Sequence, residues 1–127
     1  VTGLLPVSKP GTWLIQLTHG PEASDILALG LDCIFACGAF GQSVSVVLRH
    51  NAASLVHGKA SDQTTGRNFF RELHSLPLYE IDRIFVLAED VATDTPKIKQ
   101  LEDLAIDYIT HKDLRLLISD SKHVVSF

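Results

Sequence analysis

Apolar positions along this chain come in two kinds of run. Ile84, Phe85, Val86 and Leu87 are continuous, without the alternation of a half-exposed strand, and read as a strand buried on both faces of a parallel sheet. Trp13 to Leu17 and Val44 to Leu48 read as the first and second strands, with Ile84 to Leu87 the third. Ile106 to Thr110 forms the fourth and His123 to Phe127 the fifth. Between them lie runs of helical character. The first spans about Ala23 to Gly38, with Pro21 near its first turn, where the missing N–H costs nothing, and Gly38 and Gly41 closing it. A short helix follows at Ala52 to Val56, another at Arg67 to Ser75 with Phe69, Phe70 and Leu73 inward, and others at Lys97 to Leu104 and His111 to Asp120. Pro77 hinges the passage from the helix ending at Ser75 into the third strand. Asn51 is expected to take the left-handed conformation where the chain leaves the second strand.

Strand and helix in strict alternation predict an α/β fold: a single domain with a mostly parallel five-stranded sheet and helices on both faces. Residues 1–11, with two prolines and two glycines, read as an irregular arm ahead of the 12–127 domain. Gly58 to Gly66, rich in Ser, Thr, Asp and Gly, reads as a mobile surface loop. No repeat or linker interrupts the order.

Composition narrows the function classes. At 127 residues with 46% hydrophobic and 20% charged residues, the chain suits one globular domain. Fifteen acidic residues against eleven basic give a net charge of -4, and without a basic cluster no direct nucleic-acid binding is expected. No apolar run reaches membrane-spanning length, and no basic-then-apolar signal opens the sequence. It begins at Val1 and lacks Met, which reads as an initiator removed or an end trimmed. Two cysteines without an extracellular pattern suggest a reducing, cytoplasmic setting.

Candidate chemistry is sparse. Cys33 and Cys37 stand four apart on the first helix and share a face with Ile26, Leu29, Gly30 and Ile34. Helical neighbours at this spacing hold their β-carbons about 5–6 Å apart, too far for a disulfide at roughly 4 Å. They read as packing residues, small hydrophobes far from an activating helix N-terminus; C-x3-C lacks the further ligands a metal needs, so no metal is expected. The histidines are scattered. His19, between the first strand and first helix, is placed to join backbone N–H groups around an anion, or it simply caps the loop. No P-loop or dinucleotide fingerprint is present, and no cofactor is expected. Ala88, Glu89 and Asp90 leave the third strand at its carboxyl end, the edge where ligands sit in open α/β sheets, and that end holds no nucleophile. His19, Asn51, Leu87 and Glu89 form the candidate strand-end pocket. The first helix carries only Asp25 and Asp32 as charges, on one stripe, so a second apolar face must meet another subunit; Leu27, Leu31 and Phe35 are its candidate interface residues.

Three segments carry a likeness to a known family. They are Gly30-Leu31-Asp32 followed by the strand Ser43 to Leu48, then Leu78-Tyr79-Glu80-Ile81-Asp82 ahead of the third strand, and Val124-Val125-Ser126-Phe127 at the end. In this order and spacing, from Thr12 to Phe127, the chain resembles the DsrE/DsrF-like sulfur-relay family, most of all its TusC/DsrF branch. It departs from that pattern in three places. Ala28-Leu29 stands where the branch has Arg-Glu, and Asn51 replaces the glycine after the second strand. Val86-Leu87-Ala88-Glu89 occupies the region where sulfur-carrying members have a cysteine.

The resemblance therefore implies a non-catalytic subunit of a heteromeric sulfur-relay complex of the TusBCD/DsrEFH type. Such a complex serves 2-thiolation of the tRNA wobble uridine or dissimilatory sulfur oxidation. The implied partners are DsrE/TusD-like and DsrH/TusB-like subunits, or further copies of the chain itself. Two rival readings remain: a thiol sulfurtransferase using Cys33 or Cys37, and a small-ligand-binding α/β domain using the strand ends.

Overall fold

The structure, a computed structural model, describes residues 12–57, 67–91 and 106–127. The expected N-terminal arm, the loop at 58–66 and the helix at 97–104 lie outside these residues. Within them the order is β1 (Trp13–Leu17), α1 (Ser24–Ala39), β2 (Val44–Leu48), α2 (Phe69–His74), β3 (Arg83–Leu87), β4 (Ile106–Ile109), α3 (His111–Asp120) and β5 (His123–Ser126). Short 3-10 turns lie in several of the described connections, the longest at His50–His57.

All five strands are parallel, in the order β4-β3-β2-β1-β5. The arrangement is the α/β sheet that the alternation predicts. The chain steps from β1 to β2 to β3 in one direction, then returns from β4 across the whole sheet to β5. A right-handed crossover must change faces when the direction reverses. Accordingly α1 and α2 pack on one face, over Ile15, Leu17, Val46, Leu48, Ile84 and Val86. On the other face α3 packs Leu114 and Leu117 against Leu14, Val47, Phe85, Leu87 and Ile109. The central strand β2 is buried along its whole length, as expected of a strand covered on both sides.

α1 begins one residue after a 3-10 turn opened by Pro21 and ends in a Schellman closure. The Gln42 N–H donates to the Cys37 carbonyl and the Gly41 N–H to the Gly38 carbonyl, with Gly41 at φ +74°. Its inner stripe is Leu27, Gly30, Leu31 and Ile34. Each buried leucine or isoleucine contributes about 1.5–3 kcal/mol. Leu27 and Leu31 are 1% and 0% exposed against the chain's own sheet, so neither is available to a partner, contrary to the sequence expectation. The helix is apolar on nearly every side, and its phase is set by Gly30. A β-carbon there would stand 2.5 Å from Leu17 Cδ2 and 3.2 Å from Phe127 Cβ. Closest approach at Gly30 turns Leu27, Leu31 and Ile34 inward and leaves Ile26, Leu29 and Phe40 outside.

α2 is shorter than the sequence predicts, starting only after Asn68, whose side-chain oxygen caps the Arg71 N–H at 3.0 Å. Phe69 and Leu73 are buried; Phe70 is half-buried against the His74 ring. Arg67, just before the helix, donates through Nε to Glu72 at 3.0 Å and through Nη2 to Asp32 of α1 at 3.1 Å. The Glu72 carboxylate first, and then Asp32, outweigh its partial burial and hold the guanidinium protonated.

Candidate functional site

At the carboxyl edge of the sheet the strand ends are zipped together beyond the strands themselves. The Phe127 N–H donates to the Gln16 carbonyl, Thr18 N–H to Phe127, and Arg49 N–H to Leu17, each at 2.8–2.9 Å. This fixes the backbone of Thr18 and Arg49 and lines up the polar residues that follow β1, β2 and β3. They form separate constellations rather than one pocket.

The turn after β1 is organised on Glu22. Its carboxylate accepts from the Gly20 N–H at 3.0 Å and from Asn51 Nδ2 at 3.1 Å. Burial pushes the carboxyl pKa up, but the hydrogen bonds from Gly20, from its own N–H and from Asn51, with His19 nearby, outweigh that and hold it below the usual range. The anion at this backbone is thus the protein's own carboxylate; of the two readings of His19, nothing here favours the external anion over the loop cap. His19 Nδ1 instead lies 3.1 Å from Thr18 Oγ1, and that hydroxyl donates to the Phe127 carbonyl. A β-carbon on Gly20 would meet the Asn51 carbonyl at 2.6 Å, so the turn requires glycine to pack on the next strand end.

The left-handed residue after β2 is His50, at φ 52°, one position earlier than the expected Asn51. The turn there is held by Asp90, whose carboxylate accepts the His50 N–H at 2.8 Å and so joins the ends of β2 and β3. Sequence preference favours Asn for this conformation, but the carboxylate fixes His50 instead. Glu89 points the other way, to an ion-pair contact with Nε2 of His111 at the start of α3. Leu87 is 1% exposed in the core beneath α3 and lines no open surface. Of the expected pocket, Asn51 is bonded to Glu22, and His19 is linked to that carboxylate only electrostatically.

A fourth constellation was missed. Gln16, Arg49 and Ser126 face the α3 side of β1, β2 and β5 at this same edge. Arg49 Nη1 donates to Gln16 Oε1 at 3.2 Å, and Gln16 Nε2 donates to Ser126 Oγ at 3.1 Å. The available signal was a Gln and an Arg placed at the ends of otherwise apolar strands.

The two thiols lie elsewhere. α1 runs away from the carboxyl edge, and Cys33 and Cys37 occupy its second half. Both are free and half-buried, packed against the hydrophobic core as the sequence reading has them. Burial first, and then the adjacent Cys33 thiol, push Cys37 up from the ordinary thiol range. Phe35, the third expected interface residue, is half-buried with its ring against Tyr79 at 5.0 Å.

This five-stranded parallel α/β layer is a DsrE/DsrF-like fold. The YchN protein of E. coli superposes on it with a TM-score of 0.73 at 15% identity, over 91% of this chain and 98% of that one. A conserved protein of unknown function from Bacteroides thetaiotaomicron superposes with a TM-score of 0.62 at 11% identity, over 94% of this chain and 100% of that one. No protein-family model and no curated protein matches the chain. Among the described residues no helix is long and apolar enough to cross a membrane.

Proposed function

We propose that the chain is a non-catalytic subunit of a cytoplasmic, heteromeric sulfur-relay complex, serving tRNA wobble-uridine 2-thiolation or dissimilatory sulfur oxidation. The observation that carries this reading is the end of β3. Sulfur-carrying relatives of the family it resembles keep their thiol in that region. Here Leu87 is buried, Ala88 follows, and Glu89 is engaged with His111. A relay thiol needs to be an accessible thiolate. The two cysteines lie on the far half of α1, and burial works against ionisation of Cys37. The chain would contribute by building the assembly around a partner's thiol, with DsrE/TusD-like and DsrH/TusB-like subunits as partners.

Mass spectrometry of the purified chain after incubation with a sulfur donor tests the reading. The expected result is no persulfide on Cys33 or Cys37, and unimpaired sulfur transfer by a complex assembled from a Cys33→Ser, Cys37→Ser chain. A persulfide on either residue, lost together with transfer in the double variant, overturns it and makes the chain a sulfurtransferase.

A further inference from the structure

We infer that Arg49 anchors a small-oxyanion site at the carboxyl edge of β1, β2 and β5, a binding role independent of the sulfur-relay reading. A guanidinium carries five N–H donors in a planar fork suited to carboxylate or phosphate oxygens. Arg49 uses one of them, from Nη1 to Gln16. Its Nε is sealed from solvent and without a partner, and among the described residues no carboxylate lies within ion-pair distance of the group. Among the described residues, the carboxylates at this edge each have a partner. Glu22 is paired with Gly20 and Asn51, Asp90 with His50, and Glu89 with His111.

Gln16 supplies the second observation. It is a polar side chain only 6% exposed near the end of an interior strand, and burial of that kind requires hydrogen bonds. Its carbonyl oxygen is spent on Arg49 and its amide on Ser126, so the buried residue holds the guanidinium in a fixed direction. The Ser126 hydroxyl accepts from Gln16 and keeps its own proton to donate. Gln16 is thus a positioning residue, and the terminal Nη donors of Arg49, together with Ser126 Oγ, are the groups that meet the ligand. A hydrated surface arginine needs no such brace. The carboxyl ends of parallel strands are also where α/β folds receive ligands. The two donor groups recognise charged oxygens and no apolar feature, so the ligand class is a small oxyanion or the oxyanion end of a larger molecule.

The experiment titrates the chain with inorganic phosphate, sulfate or acetate against chloride at matched ionic strength. It follows the Arg49 Nε–H resonance and the thermal midpoint. The expected result is saturable movement of that resonance by phosphate or sulfate, with acetate distinguishing a planar from a tetrahedral preference. Arg49→Gln should weaken binding about tenfold or more. Arg49→Lys, which keeps the charge but loses the fork, should fall between. Gln16→Leu should weaken binding while leaving its dependence on ionic strength unchanged. Absence of any saturable response in the unmodified chain overturns the inference whether or not the variants fold. Equal affinity in a folded Arg49→Gln chain also overturns it, and equal affinity in Gln16→Leu removes the positioning role.

Discussion

Single side chains at the carboxyl edge act mostly as anchors for neighbouring strand ends, and Glu22 shows how. One carboxylate ties the β1–α1 turn to Asn51 after β2. Because its folded pKa is lowered, its stabilisation is fully present above the ordinary glutamate range, near 4.3, and is lost as pH falls through the lower folded value. Glu22→Gln keeps one acceptor oxygen and loses the charge. Since the residue is exposed, the cost at pH 7 is about 0.5–1 kcal/mol. Chemical denaturation at a series of pH values should show the two proteins differing at neutrality and converging at acid pH. A constant difference across the series would mean that packing, and not the carboxylate, holds the turn. At this scale local preference in the sequence does not decide the outcome. Such preference leaves His19 open between an anion site and a loop cap and places the left-handed turn at Asn51. A carboxylate three residues past His19 and another from the neighbouring strand end settle these turns, and neither partner is visible from the residue itself.

Elements were more legible than residues. β1, β2 and α3 lie where the apolar runs and their boundaries place them, because a strand covered on both faces has no alternation to blur. The start of α3 is fixed by a capping box between Thr110 and Asp113, a local signal readable within four residues. The phase of α1 was not legible. A helix apolar on nearly every side gives periodicity little to discriminate, and the deciding contact, Gly30 against Leu17 and Phe127, joins residues far apart in the chain. The same Gly30-Leu31-Asp32 segment that carried the family likeness now has physical roles. Gly30 permits close approach, Leu31 is buried, and Asp32 pairs with Arg67. Gly30→Ala should gain about 1 kcal/mol of helix propensity yet lose about 1–3 kcal/mol to overpacking against a fully buried Leu17. The expected net effect is a lower thermal midpoint. An unchanged or raised midpoint would show that Leu17 has room to move and that Gly30 does not set the helix phase.

At the scale of the whole molecule, turning Leu27 and Leu31 inward does not make α1 self-sufficient; it moves the unpartnered surface. Ile26, Leu29, Ala36 and Phe40 lie on one exposed side, an outer stripe along the helix that Cys33, half-buried against the core, only borders. Leu29 is 60% and Phe40 82% exposed, with Leu78 at 84% beyond the end of α2. Apolar surface gathered in this way usually marks an interface, which is the assembly role proposed above. The inward and outward leucines make the test specific. Leu27→Asp places a charge in the core and should unfold the chain. Leu29→Asp places the same charge two residues away on the outer stripe, so far-ultraviolet circular dichroism and the thermal midpoint should change little. Light scattering of the chain alone, and co-purification with DsrE-like and DsrH-like subunits, should then show association in the parent protein and its loss in Leu29→Asp. A parent chain that stays monomeric and ignores both partners would remove the assembly role. It would leave the carboxyl edge, with Arg49 held open by Gln16, as the part of the molecule that defines its function.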